Sequence, residues 1–208
     1  VVNALVDYLN APGVVPLQRV VDNFSGDTLN ERWTYTDYNG SNTGSMDDAV
    51  GGGYKIVTGT TNGNNAGISF NDISQYSNTS STLIAVTKHT ATSSFFHEIG
   101  FKENPVAGGT VSFAFAKGDV SITSNYFLSS NDGTTATNTI GSVAFTTSFQ
   151  TKEINILSTH LTLRLDGTLD VVKTDRLPDA TQEPYFRQGT RTNVSKVGHI
   201  KYLEAWNK

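Results

Sequence analysis

The residues whose types and spacing could do chemistry fall in two short runs. Phe96, Glu98 and Lys102 share one face of a strand-like segment, Phe95 to Lys102, because residues two apart in a strand point the same way. Tyr185, Arg187, Gly189 and Arg191 share one face of a second, Tyr185 to Arg191. A guanidinium is a planar fork that fits a carboxylate or sulfate with two parallel hydrogen bonds. Aromatic rings offer platforms for the apolar faces of sugars, and polar neighbours satisfy hydroxyl groups that would cost about 1–3 kcal/mol if buried unpaired. Phe96, Glu98, Lys102, Tyr185, Arg187 and Arg191 are therefore the expected ligand contacts. The expected partner is a polysaccharide or other glycan, and the two arginines point to an acidic one.

Other chemistry has less to stand on. Asp47, Asp48 and Asp72 are the candidate ligands for a structural Ca²⁺, an ion that takes six to eight oxygens. No other cofactor is expected. His89, His97, His160 and His199 are scattered, with no His-Glu-x-x-His spacing. There is no Gly-x-Ser-x-Gly nucleophile elbow. Gly51-Gly52-Gly53 lacks the Lys-Ser/Thr that a phosphate loop needs and reads as a flexible loop.

The elements that must carry these residues are strands. Thr, Ser, Asn and Gly make up roughly 40% of the 208 residues, and charged residues only 16%, against about 25% in ordinary domains. Ala, Glu, Lys and Leu are too scarce for a helical bundle or coiled coil. The low net charge of −4 and 10% aromatics argue against disorder and against a general nucleic-acid binder. No apolar run approaches the roughly 18 residues of a membrane-spanning helix. With no cysteine there is no disulfide framework and no thiolate metal site. Short strand-like runs separated by turn residues continue from Val14 to Trp206, which predicts an all-β sandwich or barrel. Leu161, Leu163 and Leu165 alternate with Thr162, Arg164 and Asp166, and Asp166-Gly167 predicts a hairpin to Thr168–Lys173. Val111, Phe113 and Phe115 form one face of another strand, with Ser112, Ala114 and Ala116 opposite. Residues 14–208 are expected to form one domain, since no linker interrupts them. Residues 1–13 are expected to be a short helical lead-in, in which Val1, Leu5 and Leu9 recur every four residues before Ala11-Pro12-Gly13 breaks the pattern.

Three pieces resemble the concanavalin A-like lectin/glucanase superfamily, which includes laminin-G-like jelly rolls. Asp22-Asn23-Phe24-Ser25-Gly26-Asp27-Thr28-Leu29-Asn30-Glu31-Arg32-Trp33 is similar to its opening, an acidic-aromatic strand end that turns toward a Leu and a Trp. Leu161 to Pro178 resembles its late hairpin, and Val197 to Trp206 the last strand, which returns beside the first. The resemblance implies two antiparallel sheets packed as a jelly roll, with a glycan on one sheet or at the loop rim.

It also defines what an enzyme would need. Glucanase-like members carry Glu-x-Asp-x-Glu, or a version one residue longer, whose two Glu act as nucleophile and general acid. Glu98 and Glu103 of His97-Glu98-Ile99-Gly100-Phe101-Lys102-Glu103 stand where the catalytic pair of the longer version would be, but Gly100 replaces the Asp. Without a bulge the odd spacing also turns Glu98 and Glu103 to opposite faces. Tyr185-Phe186-Arg187-Gln188-Gly189 is similar to the Tyr-Phe-Lys-x-Gly of alginate-lyase-like enzymes, whose Arg-Thr-Glu-Leu and Gln-x-His segments are absent, although His97 lies near where the latter would fall. The reading favoured is a noncatalytic carbohydrate-binding or adhesion module, outside a cell, on its surface or on a virus particle. The alternatives are a polysaccharide-degrading enzyme and a structural capsid, fibre or lattice domain that assembles as an oligomer.

Overall fold

The computed structural model describes residues 19–47, 53–71, 76–103 and 111–207. The expected helical lead-in over residues 1–13 lies outside them. All fifteen elements described are strands: β1 Arg19–Asp22, β2 Trp33–Asp37, β3 Thr43–Met46, β4 Tyr54–Val57, β5 Asn65–Phe70, β6 Ser80–His89, β7 Phe95–Lys102, β8 Phe113–Asp119, β9 Asn125–Asn131, β10 Ala136–Ala144, β11 Gln150–Leu157, β12 Leu161–Leu165, β13 Thr168–Lys173, β14 Glu183–Thr190 and β15 Val197–Asn207. They form two sheets in which every pairing is antiparallel. One runs β13-β12-β11-β6-β15-β4-β3, with β1 also pairing β15, and the other runs β10-β9-β8-β7-β14-β5-β2.

The alternation of large apolar and polar side chains explains the stacking. Leu83, Ala85, Ile154, Ile156, Leu161, Leu163, Ile200 and Leu203 line the inner face of the first sheet and are fully buried. Ile68, Ile99, Phe101, Ala114, Ala116, Leu128 and Phe186 do the same for the second. Burying each large apolar side chain contributes about 1.5–3 kcal/mol. Thr162 and Arg164 stay outside, as their alternation with the leucines requires. The Asp166-Gly167 hairpin forms as expected, with both residues at positive φ (50° and 81°), the signature of a tight two-residue turn. β15 returns beside β1, pairing Arg19 with Trp206. Trp33 and Asp22 of the opening segment meet directly, the indole Nε1 donating to the Asp22 carboxylate at 2.8 Å.

On one strand the small residues turn inward and the large ones outward. On β8 the small Ala114 and Ala116 enter the core, while Phe113 and Phe115 point outward from the seven-stranded sheet. Alternation fixes which residues share a face, but not which face is wet.

Candidate functional site

β7, β8 and β14 are neighbours in the middle of the seven-stranded sheet, and their pairing lines up the outward side chains. Glu98 lies opposite Arg187 on one side and Lys117 on the other, and Lys102 lies opposite Glu183 and Phe113. Neither ladder has a register shift, so no bulge interrupts β7. The result is a cleft of about 270 Å³ lined by Glu98, Lys102, Val111, Phe113, Phe115, Lys117, Tyr185 and Arg187.

Glu98 is the hub of this cleft. One carboxylate oxygen is 2.9 Å from the Lys117 ammonium and the other 3.3 Å from the Arg187 guanidinium. Burial alone would raise its pKa, but the two cations outweigh burial and hold it below the ordinary carboxylate value. Arg187 is fixed further by Asn65, whose Oδ1 accepts from Nε at 2.8 Å. The Phe113 and Phe115 rings stack in parallel, with centroids 4.6 Å apart, and Tyr185 tilts against Phe115 at 5.6 Å. The Tyr185 hydroxyl donates to that of Tyr38 at 3.1 Å, and burial pushes the Tyr185 pKa up. Lys102 lies 4.9 Å from the centre of the Tyr185 ring. An apolar floor with charged walls can receive the face of a sugar ring and bind its polar rim.

The structure sorts the expected contact residues into two groups. Glu98, Lys102, Tyr185 and Arg187 line the cleft. Phe96 and Arg191 serve the fold instead. Phe96 is only 4% exposed and covers Gly189, where any Cβ would fall 2.1 Å from its ring. Arg187 and Arg191 lie 4.9 and 4.5 Å from the Phe96 ring centre. Arg191 is committed to Asp119, a fully buried carboxylate. Lys117, Phe113 and Phe115 are cleft residues not singled out as contacts from sequence. Their signal was the alternation of β8, which places Phe113, Phe115, Lys117 and Asp119 on one side.

Glu103 does not join Glu98. It follows Lys102 and turns to the other side, where its carboxylate accepts from the Ser112 backbone N–H at 3.0 Å. Gly100, in the place of the motif's Asp, has no room for a side chain. A Cβ there would sit 2.1 Å from the Ala114 carbonyl oxygen. His97 faces the core, bonded to Thr87 at 3.0 Å and Gln188 at 3.1 Å, and so does not share the cleft with Tyr185.

No protein-family model matches the sequence, and no curated protein matches it either. Solved structures do match in shape. The Bacillus licheniformis β-glucanase superposes with a TM-score of 0.68 at 9% identity, over 91% of this chain and 98% of its own. LamAcat from Zobellia galactanivorans gives 0.66 at 11% identity, over 90% of this chain and 96% of its own. The Emp47p carbohydrate recognition domain gives 0.63 at 8% identity, over 91% and 94%. The chain has the concanavalin A-like jelly-roll fold. On this jelly roll the cleft occupies the exposed side of the seven-stranded sheet, and the eight-stranded sheet backs it.

Of the candidate Ca²⁺ ligands, Asp48 and Asp72 lie outside the described residues. Asp47 is already engaged, 3.2 Å from both the Lys55 ammonium and the His199 ring. Among the described residues no group of three or more His, Asp or Glu could hold a metal ion.

Proposed function

We propose that this chain is a noncatalytic carbohydrate-recognition module that holds a polysaccharide in the cleft of the seven-stranded sheet. The carrying observation is the state of Glu98: both its oxygens are engaged by Lys117 and Arg187. A glycoside hydrolase needs one carboxyl group that keeps its proton near neutral pH and a second that is ionised, about 5–9.5 Å apart. Asp119 shares this face, but its carboxylate is also held below the ordinary value. Burial opposes ionisation there, and the hydrogen bonds from Arg191 and Ser121 overcome it. Among the described residues, Glu183 is the one carboxyl on this face pushed up, to about 7, by burial. It stands four residues along the ladder from Glu98, about 13 Å at the strand rise, beyond the working range of a carboxylate pair.

The structural neighbours support a carbohydrate ligand: the Bacillus licheniformis protein is named as a β-glucanase and the Emp47p domain as a carbohydrate recognition domain. The excess of Lys and Arg around the cleft favours a polymer carrying carboxylate or sulfate groups. A module of this kind acts where such polymers are, outside a cell, at its surface or on a virus particle. A polysaccharide array read alongside a reducing-end assay tests the proposal. Binding without release of new ends is expected, with Phe113→Ala and Lys117→Ala each losing at least about tenfold in affinity. Release of reducing ends that stops in Glu98→Gln would show an enzyme instead.

A further inference from the structure

Lys102 and Glu183 face each other across β7 and β14 at one end of the cleft. Lys102 lines that cleft beside Phe113 and Phe115, its ammonium near the Tyr185 ring. Among the described residues its nitrogen has no carboxylate oxygen within the 4.0 Å of an ion pair, whereas Lys117, Arg187 and Arg191 each have at least one. The carboxyl group opposite it is nearly inaccessible. Glu183 is 3% exposed, and its Oε2 has no hydrogen-bond partner. An ionised carboxylate in such a place has little water around it and one oxygen with no donor at all, so the group keeps its proton to an unusually high pH.

Resting on the carbohydrate reading above, we propose that Lys102 is the contact for an anionic group of the bound polysaccharide, a uronate carboxylate or a sulfate ester, and that the buried Glu183 behind it decides whether that contact is made. While Glu183 is neutral, the ammonium is free to take the ligand's anion. Once Glu183 ionises, the cation is neutralised from within and the ligand meets a second negative charge.

The surroundings single out this pair. Glu98, farther along β7, is satisfied by Lys117 and Arg187. Glu103, next to Lys102, is turned to Ser112. Phe113 on β8 carries no charge, and β5, which pairs Ser69 with Tyr185, carries no titratable side chain. Arg187 is the nearest other cation on β14 and acts on Lys102, lowering its pKa after burial has done the same. Burial raises the Glu183 pKa to about 7 and Lys102 opposes the rise, so the change of state falls in the neutral range.

The sign follows from linkage. Below about pH 7 the protonated Glu183 leaves binding strong, and above it binding weakens. A bound anion in turn disfavours ionisation of Glu183, so complex formation near pH 7 takes up protons. Titration calorimetry at pH 6 and pH 8, with polygalacturonate, dextran sulfate and a neutral β-glucan as probes, tests this. Both acidic polymers stay fully charged over that range. Wild type is expected to bind an acidic polymer about fivefold or more tightly at pH 6 than at pH 8. The near-isosteric Glu183→Gln is expected to bind at pH 8 as wild type does at pH 6, and Lys102→Gln weakly at both, with a cooperative melting transition confirming that each variant is folded. Persistence of the pH dependence in Glu183→Gln, or unchanged binding of acidic polymer by Lys102→Gln, overturns the proposal. Binding of the neutral glucan alone, independent of pH, overturns it while leaving the carbohydrate reading intact. Binding of none of the three removes both.

Discussion

The Lys152 ammonium, fully buried between the two sheets, donates to the Thr87 hydroxyl at 2.7 Å. An ammonium has donors and no acceptor, so the Thr87 proton must go the other way, to His97 Nε2 at 3.0 Å. His97 then carries its hydrogen on Nδ1 and donates to Gln188 Oε1 at 3.1 Å. A directed chain thus runs from the eight-stranded sheet through the core to β14, the strand that carries Tyr185 and Arg187 on its other side. It demands a neutral His97, and burial, reinforced by the charge on Lys152, does hold the His97 pKa well below its ordinary value.

Burial lowers the Lys152 pKa to about 7, against 10.5 for the free side chain. Between those values the unfolded chain binds the proton that the folded chain has lost. Stability therefore rises with pH across this window, by up to about 1.4 kcal/mol per unit. Lys152→Met keeps the volume and removes the charge, so it should flatten that slope and raise stability at pH 7 by about 1–4 kcal/mol. Urea unfolding of both proteins at pH 7, 8 and 9 checks this. Equal slopes would mean that Lys152 does not titrate there.

Restoring the acid that the glucanase motif has at position 100 should not restore an enzyme. Gly100 packs against β8 so closely that a Cβ would overlap the Ala114 carbonyl. Gly100→Asp must push the two strands apart and bury a carboxylate, and it is expected to cost at least about 3 kcal/mol. A melting temperature near that of wild type, together with the appearance of reducing ends from a β-glucan, would contradict this.

Much of the fold was legible because its signals are local. The leucines of β12, the Asp166-Gly167 turn and the Asp22-to-Trp33 opening each fix a geometry within a few residues. The odd spacing of Glu98 and Glu103 likewise places them on opposite faces of an unbulged strand. What stayed hidden depends on the partner across the sheet. Val111, Phe113 and Phe115 look like a core stripe until β7 and β9 show that the core side of β8 is the one with alanines. Arg191 looks like a ligand contact until the buried Asp119 appears 72 positions away in sequence. Lys152 could have been found, since it shares a face with Ile154 and Ile156, but a lysine at the end of an apolar stripe reads as solvated until the facing sheet, with Tyr126 of β9, covers it.

Phe113 separates recognition from folding. It is only partly buried, stacks on Phe115 and does not belong to the inter-sheet core. Phe113→Ala should lower the unfolding free energy by no more than about 1 kcal/mol, the worth of one exposed ring pair. Its polysaccharide affinity should fall by about tenfold or more, as for an aromatic anchor. Chemical denaturation and binding measured on the same preparation decide the matter. Intact binding would move the sugar platform away from β8.

Arg191 should show the opposite pattern. Its Nε donates to Asp119 Oδ1 at 3.1 Å and its Nη2 to Oδ2. Asp119 has no exposed surface, and its other partners are Ser121, 2.6 Å from Oδ1, and Lys117 at 3.9 Å. Arg191→Ala leaves that carboxylate buried with half its support and is expected to cost about 2–3 kcal/mol. Arg191→Lys, which keeps the charge and loses the fork, should fall between the two. The loss should shrink in acid. Asp119 is held below its ordinary pKa of 3.8, so the stability it contributes is present above that value and lost as pH falls through the lower folded-state pKa. Unfolding free energies measured at pH 7 and pH 3 give the comparison. A difference between wild type and Arg191→Ala that is the same at both would mean that the arginine acts through its packing on Phe96 and not through Asp119.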